Sequence, residues 1–263
     1  MTRNRLTRGA GIVAPPMLFS VLVVLAWHGV VTLFDIRPYL LPGPMDVLHA
    51  VSVHLPTLIG AAALTAQAAL AGFLLSFFVG FLVAVLFSQS RLAERSLYPY
   101  AIFLQTVPIV AIAPLIVLWI GHGLAGVVAV SFIISLFPII ANTTAGLTSV
   151  DTELLDLFAL NEASRWQVLI KLRVPHAVPA MLTGARISCG LSVIGAIVGE
   201  FFAGYGTQDF GLGYLIILTN AQTKTPYLFA SVLFSTGLGL IFFSAVAALS
   251  SKTLDRWGGR DVN

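Results

Sequence analysis

Runs of about twenty apolar residues with almost no charge recur along this sequence, and they constrain its fold more than any other feature. Such a run crosses roughly 30 Å of hydrocarbon only as a helix, because a helix pairs its own backbone N–H and C=O groups where no water is available. Six runs qualify, at residues 12 to 34, 57 to 87, 98 to 119, 124 to 142, 178 to 202 and 227 to 250. The second is longer than a crossing needs, so it is expected to tilt or to begin outside the hydrocarbon. Composition agrees: 58% of the 263 residues are hydrophobic and 10% charged, mean hydropathy is +0.96, and soluble domains carry about 25% charged residues.

The first run follows Arg3, Arg5 and Arg8, as a signal peptide would. It is longer than a signal h-region and no small-x-small cleavage site precedes Asp35, so it is read as a retained helix. Orientation follows from the basic residues. One side of a six-span ladder collects Arg3, Arg5, Arg8, Arg91, Arg95, Arg165, Lys171, Arg173, Lys252, Arg256 and Arg260, and the other only Arg37 and Lys224. The positive-inside rule then puts both termini in the cytoplasm of a multi-pass inner-membrane protein. The same rule accounts for the net charge of +3 without nucleic acid, since no basic stripe carries interleaved aromatics.

Between the spans, Pro42-Gly43-Pro44 breaks the chain on the outer side. Val47, Leu48, Val51 and Leu55 then recur at helical spacing beside Asp46 and His49, which predicts a short helix lying in the interface. A turn-rich connection with Gly204, Gly206, Asp209, Gly211 and Gly213 precedes the last span. On the inner side, residues 143 to 177 form the longest polar interval. Asp151, Glu153 and Asp156 come first and Arg165, Lys171 and Arg173 last, with apolar Leu154, Leu155, Phe158, Trp166, Leu169 and Ile170 among them. The order suits the helix dipole and predicts two short surface helices. A tether needs only a few residues, so an insertion of this size reads as a docking surface within a single transmembrane domain of residues 1 to 263.

Several chemistries are excluded or weak. None of Lys171, Lys224 and Lys252 follows a glycine, so there is no P-loop. His28, His49, His54, His122 and His176 form no HExxH, and Cys189 is the only cysteine, so no metal site or disulfide is expected. Gly204-Tyr205-Gly206 lacks the residues and pore helix of a potassium filter. Glu200 near the outer end of the fifth span is a functional candidate or an interfacial cap, and Arg186 is expected to snorkel. Gln105, Thr106, Pro108 and Pro114 interrupt the third span; Gln105, Thr106, Ser131, Asn142 and Glu200 are candidates to line a pathway, with helix-to-helix hydrogen bonding the alternative for the neutral ones.

Asp156-Leu157-Phe158, then Glu162-Ala163-Ser164-Arg165-Trp166-Gln167, then Leu172-Arg173-Val174-Pro175 and Pro179 resemble the cytoplasmic EAA loop of binding-protein-dependent ABC importer permeases. Glu162 and Pro175 stand at the family's Gly-to-Pro interval. Pro108 to Pro114 with Leu115, and Trp119, Gly121 and Gly123, resemble the branch that handles sulfonates, taurine, nitrate and pyrimidine precursors. The resemblance covers residues 40 to 250. It implies an all-α type I permease fold of about six spans, a homodimer, two cytoplasmic ATPase subunits that bind ATP and Mg, an extracytoplasmic substrate-binding protein, and no cofactor in this chain. It also implies that Asp156, Leu157, Phe158, Glu162, Ala163, Ser164, Arg165, Trp166 and Pro175 couple to the ATPase. The chain departs from the pattern where Asp156-Leu157-Phe158 replaces Glu-Ala-Ala and Glu162 replaces Gly. An ion-coupled secondary transporter is the rival class, but neither inverted repeats nor midplane ion ligands stand out.

Overall fold

The computed structural model describes residues 3–203 and 210–258; Gly204, Tyr205, Gly206 and Asp209 of the predicted turn-rich connection lie outside them. Among the described residues the chain is built from helices: α1 (Arg3–Leu33), α2 (Pro44–Gln89), α3 (Arg91–Thr106), α4 (Ile109–Ile120), α5 (Leu124–Thr148), α6 (Thr152–Leu160), α7 (Arg165–Val168), a π turn (Leu169–Arg173), α8 (Val174–Ala203), α9 (Leu212–Ala221) and α10 (Thr225–Gly258). Helix stands at every expected span, but the segmentation differs in three places.

The first difference is at α2. It is one helix of 46 residues, ~69 Å long at 1.5 Å per residue, so the separate interfacial helix expected after Pro44 is in fact its opening turns. Its start is set by Pro44 at the first helical position and by the Gly43 N–H, which donates to Asp46 Oδ2 at 2.9 Å. Pro56 lies within the helix without ending it.

The second is the third span, which is not one helix. α3 and α4 meet at a bend of 102°. Pro108 explains the break: its ring excludes the helical conformation from the preceding residue, and Val107 is extended at φ −71°, ψ 125°. The third is α9, where only turns were expected. Leu212 and Leu215 are fully covered there and join Val47, Leu58, Ala61 and Ala230 in a cluster between α2, α9 and α10.

The centre of the bundle is α2, α5 and α8. Close approaches fix their directions: Gly72 lies against Ser131 and Gly80 against Ile139, so α2 and α5 are parallel. Gly146 lies against Ala177, Gly184 against Pro138, and Gly195 against Ser131, so α8 runs antiparallel to α5. Small residues let the backbones approach, and hydroxyls then pair across the seams. Ser131 Oγ donates to Ser192 O at 2.8 Å, Ser188 Oγ to Ser135 O at 2.7 Å, and Ser76 and Ser135 hydroxyls lie 2.7 Å apart. Each such bond adds about 0.6 kcal/mol in a membrane, so their effect is to fix register along three long helices. α10 packs on this block through Phe242 and Val246, which meet Phe73, Ala185 and Cys189. The side chains of α1 are largely exposed from Met17 to Leu25, and its Trp27 stacks on Phe229 with ring centres 6.0 Å apart.

Candidate functional site

At the end of the bundle where α6 and α7 form a helical hairpin, the chain leaves α5 at Thr148, five residues later than the polar interval was expected to start. Just beyond α6 and its cap Asn161, Glu162 stands at φ 51°, in the left-handed region. The Glu162 N–H donates to Ala159 O and the Ala163 N–H to Phe158 O, both at 3.0 Å. These are the two bonds of a Schellman turn, whose left-handed position is ordinarily glycine. The departure Glu162 for Gly therefore changes the side chain and leaves the turn intact. Ser164 then caps α7: Gln167 N–H donates to Ser164 Oγ at 3.3 Å and Ser164 N–H to Gln167 Oε1 at 2.7 Å.

The helical ladder loosens into the π turn just before Pro175, which brings no N–H for the Lys171 carbonyl, and continues into α8. Arg173 Nη1 donates to Ser88 O at 2.7 Å, tying the hairpin to the end of α2. Leu169 is buried with Ala84, Leu147 and Ala177. The hairpin is thus anchored on one side and open on the other, where Leu157 is 53% exposed, Leu160 83% and Trp166 68%. Asp156, Ser164 and Arg165 are also exposed, whereas Phe158, Ala163 and Pro175 are half-buried. Ala163 is not at the tip. It faces a cavity of about 360 Å³ shared with Ser88, Gln89, Arg91, Arg165 and Arg173.

The membrane-embedded candidates separate into three places. Gln105 and Thr106 are exposed at the α3–α4 break and line a cavity of about 340 Å³ with Pro108, Phe137, Pro138 and Leu191. Ser131 is fully enclosed between α5 and α8, where its bond to Ser192 serves helix packing. Asn142 is half-buried and its Nδ2 donates within its own helix to Pro138 O at 2.8 Å, the carbonyl opposite Gly184.

Glu200 is enclosed, with 5% exposure. Its Oε2 accepts from Gly213 N–H at 2.7 Å and from Thr65 Oγ1 at 3.0 Å, and Thr65 Oγ1 accepts from Leu212 N–H at 2.9 Å. The carboxylate caps α9 and joins it to α2 and α8, so it does not reach the interfacial water. Gly211 and Gly213 allow this: a Cβ at Gly211 would run into the Glu200 carboxylate, and one at Gly213 into Ile197 O and Glu200 Cβ. The partners Thr65, Gly211 and Gly213 were not singled out as a unit in the sequence. The only signal for their helix was Leu212, Leu215 and Thr219 at helical spacing. Arg186, further along α8 toward the hairpin, keeps its Nε buried and without a hydrogen-bond partner among the described residues.

Residues 72–256 match the family model of the binding-protein-dependent transport system inner membrane component, a stretch from mid α2 through α8 to α10 that includes the hairpin. The chain belongs to this family. It is the membrane-spanning permease subunit of an ABC importer. It is 34% identical over 88% of its length to a probable ABC transporter permease protein of Haemophilus influenzae, covering 93% of that protein. It is 33% identical over 91% of its length to the formylaminopyrimidine transport permease protein ThiX of Halalkalibacterium halodurans, covering 94% of it. A putative aliphatic sulfonates transport permease protein of Bacillus subtilis is 27% identical over 94% of this chain and 87% of its own. The fold of this permease matches a chain of the MetNI methionine ABC transporter in an inward-facing conformation, with TM-score 0.65, 15% identity, and coverage of 76% of this chain and 97% of the other.

Proposed function

We propose that the α6–α7 hairpin is the surface through which this permease is driven by a separate ATPase subunit, and that the solute passes between two copies of the chain. The observation that carries the reading is the hairpin's two-sidedness. It is fastened to α2 and continuous with α8, and it presents Leu157, Leu160 and Trp166 to the outside. Apolar side chains held rigidly in the open fit a groove on a partner. Movement of that partner on closing around ATP and Mg would be carried by α8, the longest lever attached to the hairpin. ATP hydrolysis belongs to the partner, because this chain has no P-loop.

A two-fold pair of permeases gives enough helices to enclose a passage that one chain cannot wrap. Gln105 and Thr106 at the α3–α4 break are the side chains we assign to that passage. An extracytoplasmic binding protein delivers the solute, a small polar organic compound or anion; the named relatives include transport proteins for a formylaminopyrimidine and for aliphatic sulfonates. The one-sided distribution of basic residues supports a cytoplasmic hairpin and cytoplasmic termini.

The hairpin geometry selects the test. An aspartate at Ala163 would face Arg91, Arg165 and Arg173 of its own chain, so Leu160→Asp is the cleaner probe. It puts a charge at the most exposed of the hairpin's three apolar contacts, where desolvation on docking costs several kcal/mol. Co-purified ATPase and binding-protein-stimulated hydrolysis should both fall, with membrane insertion and permease dimerisation unchanged. Full retention of both in Leu160→Asp would overturn the assignment, and transport by the permease alone down an ion gradient would favour a secondary carrier.

A further inference from the structure

The cavity beneath the hairpin has a lining that the coupling role does not use. Arg91 opens α3, Arg165 opens α7, and Arg173 ends the π turn; the fold brings all three to one cavity of about 360 Å³, with Ser88 and Gln89 as its other polar residues and Ala163 and Val168 completing it. No acidic side chain lines it. Arg173 spends one N–H on Ser88 O; the other guanidinium donors of the three residues have no bond among the described residues. Three like charges around one concavity repel each other, and an anion with several acceptor oxygens relieves that repulsion while meeting the fork of each guanidinium.

The surroundings identify the kind of anion. The cavity lies at the C-terminal end of α2, just past the apolar run of residues 57 to 87. An exposed apolar stripe runs along α2 toward it through Leu74, Phe78, Leu82 and Leu86, at 56%, 64%, 50% and 49% exposure, and Leu92 beside Arg91 is 77% exposed. The four α2 positions recur every four residues, so they share one face of the helix. A basic pocket at the end of an apolar, outward-facing helix stripe is complementary to a molecule with an anionic head and hydrocarbon tails. We propose that Arg91, Arg165 and Arg173 hold the phosphate of an anionic phospholipid, its acyl chains lying on the α2 stripe, and that the lipid braces the hairpin against the α2–α3 corner. This rests on the hairpin being the ATPase contact only for its regulatory consequence. The pocket itself is a lipid site whatever docks below it.

The test uses the assembled permease–ATPase complex in nanodiscs of phosphatidylcholine alone or with part of it replaced by phosphatidylglycerol. Phosphatidylglycerol should be retained on the permease by native mass spectrometry and should raise ATP hydrolysis stimulated by the binding protein. Arg91→Gln, which leaves the hairpin's own residues in place, should weaken that retention about fivefold, the equivalent of about 1 kcal/mol per basic residue at an anionic surface, and should blunt the rise. Arg91→Lys should restore part of both. Retention and stimulation in Arg91→Gln equal to wild type would overturn the proposal. So would inorganic phosphate replacing phosphatidylglycerol in phosphatidylcholine discs, which would make the ligand a soluble anion. Loss of ATPase from Arg91→Gln in every lipid would make the occupant an acidic group of the ATPase. If the wild-type permease purified without ATPase, the coupling assignment would fall, while lipid retention by the permease alone would still decide the pocket.

Discussion

At the α9 end of the bundle a buried carboxylate is wrapped by its own chain, whereas at the hairpin end Leu157, Leu160 and Trp166 stand exposed on a well-braced turn. Both ends rely on a capped short helix. The difference lies in what completes them. Glu200 finds its donors in Thr65 and Gly213, so its carboxylate is held within one chain. The hairpin satisfies its backbone through the Schellman turn and the Ser164 cap but leaves apolar area uncovered, which suits the partner surface proposed for it.

The comparison breaks first at Glu200. Glu200→Ala leaves the Gly213 N–H without its acceptor in an enclosed site and the Thr65 hydroxyl with Ala61 O alone, at up to about 3 kcal/mol. The purified complex should unfold at a lower temperature, with the α9 connection loosening while ATPase co-purification stays near wild type. Glu200→Gln keeps an acceptor oxygen of the same reach and should be close to wild type in stability and transport. If Glu200→Gln kept stability but abolished transport, the carboxylate would be acting through its charge and would return to the pathway residues. Gly213→Ala tests the same knot from the other side, since its Cβ has no room beside Ile197 O and Glu200, an overpacking cost of about 1–3 kcal/mol.

How much of this contrast was visible in the sequence depends on the range of the interactions. The spans and the hairpin were legible because apolar length and the acidic-to-basic order of Asp151 to Arg173 are local signals. Pro108 was visible as an interruption, but a 102° bend depends on how α4 packs against α5 and α8 through Ala113, Ile116, Val130 and Val198. Glu200 was visible as an anomaly, yet its role was not. Its partner Thr65 is 135 residues away, and no periodicity links a carboxylate to a hydroxyl on another helix. Ser131 illustrates the same limit: a hydroxyl in a span can face a passage or a neighbouring helix, and only the close approaches of Gly72 and Gly195 to Ser131 decide for the neighbour.

A smaller effect sharpens the hairpin side. Trp166 is 68% exposed in the free permease, so Trp166→Ala removes little from the fold. If the ring enters a groove on the ATPase, its loss should weaken association by about 2 kcal/mol, the threshold of an interface hot spot, or roughly thirtyfold. Titration of the ATPase against permease in nanodiscs would measure this. An unchanged dissociation constant together with an unchanged melting temperature would remove Trp166 from the interface and leave Leu157 and Leu160 as the contact.

The smallest expected effect concerns Glu162, where sequence and backbone disagree about which residue belongs. The turn needs a left-handed residue to bring the Ala163 N–H to Phe158 O and the Glu162 N–H to Ala159 O, and it has one at φ 51°. An L-residue with a Cβ pays roughly 1–2 kcal/mol for that conformation, while glycine pays only its larger unfolded-state freedom, about 0.5–1 kcal/mol. The Glu162 side chain is exposed and makes no hydrogen bond among the described residues that could offset the difference. Glu162→Gly should therefore stabilise the hairpin by about 1 kcal/mol or somewhat less. The readout is local: hydrogen exchange at the Glu162 and Ala163 amides should slow by up to about fivefold, since local opening carries that free energy. Protection at Thr219, in the α9 end, should not change. Glu162→Val should move the same amides the other way, because a branched Cβ is poorly tolerated at positive φ. Equal protection in all three proteins would mean that the turn is held by its surroundings, through the Arg173 to Ser88 bond and the buried Leu169, and that the hairpin owes its rigidity to the bundle rather than to its own Schellman turn.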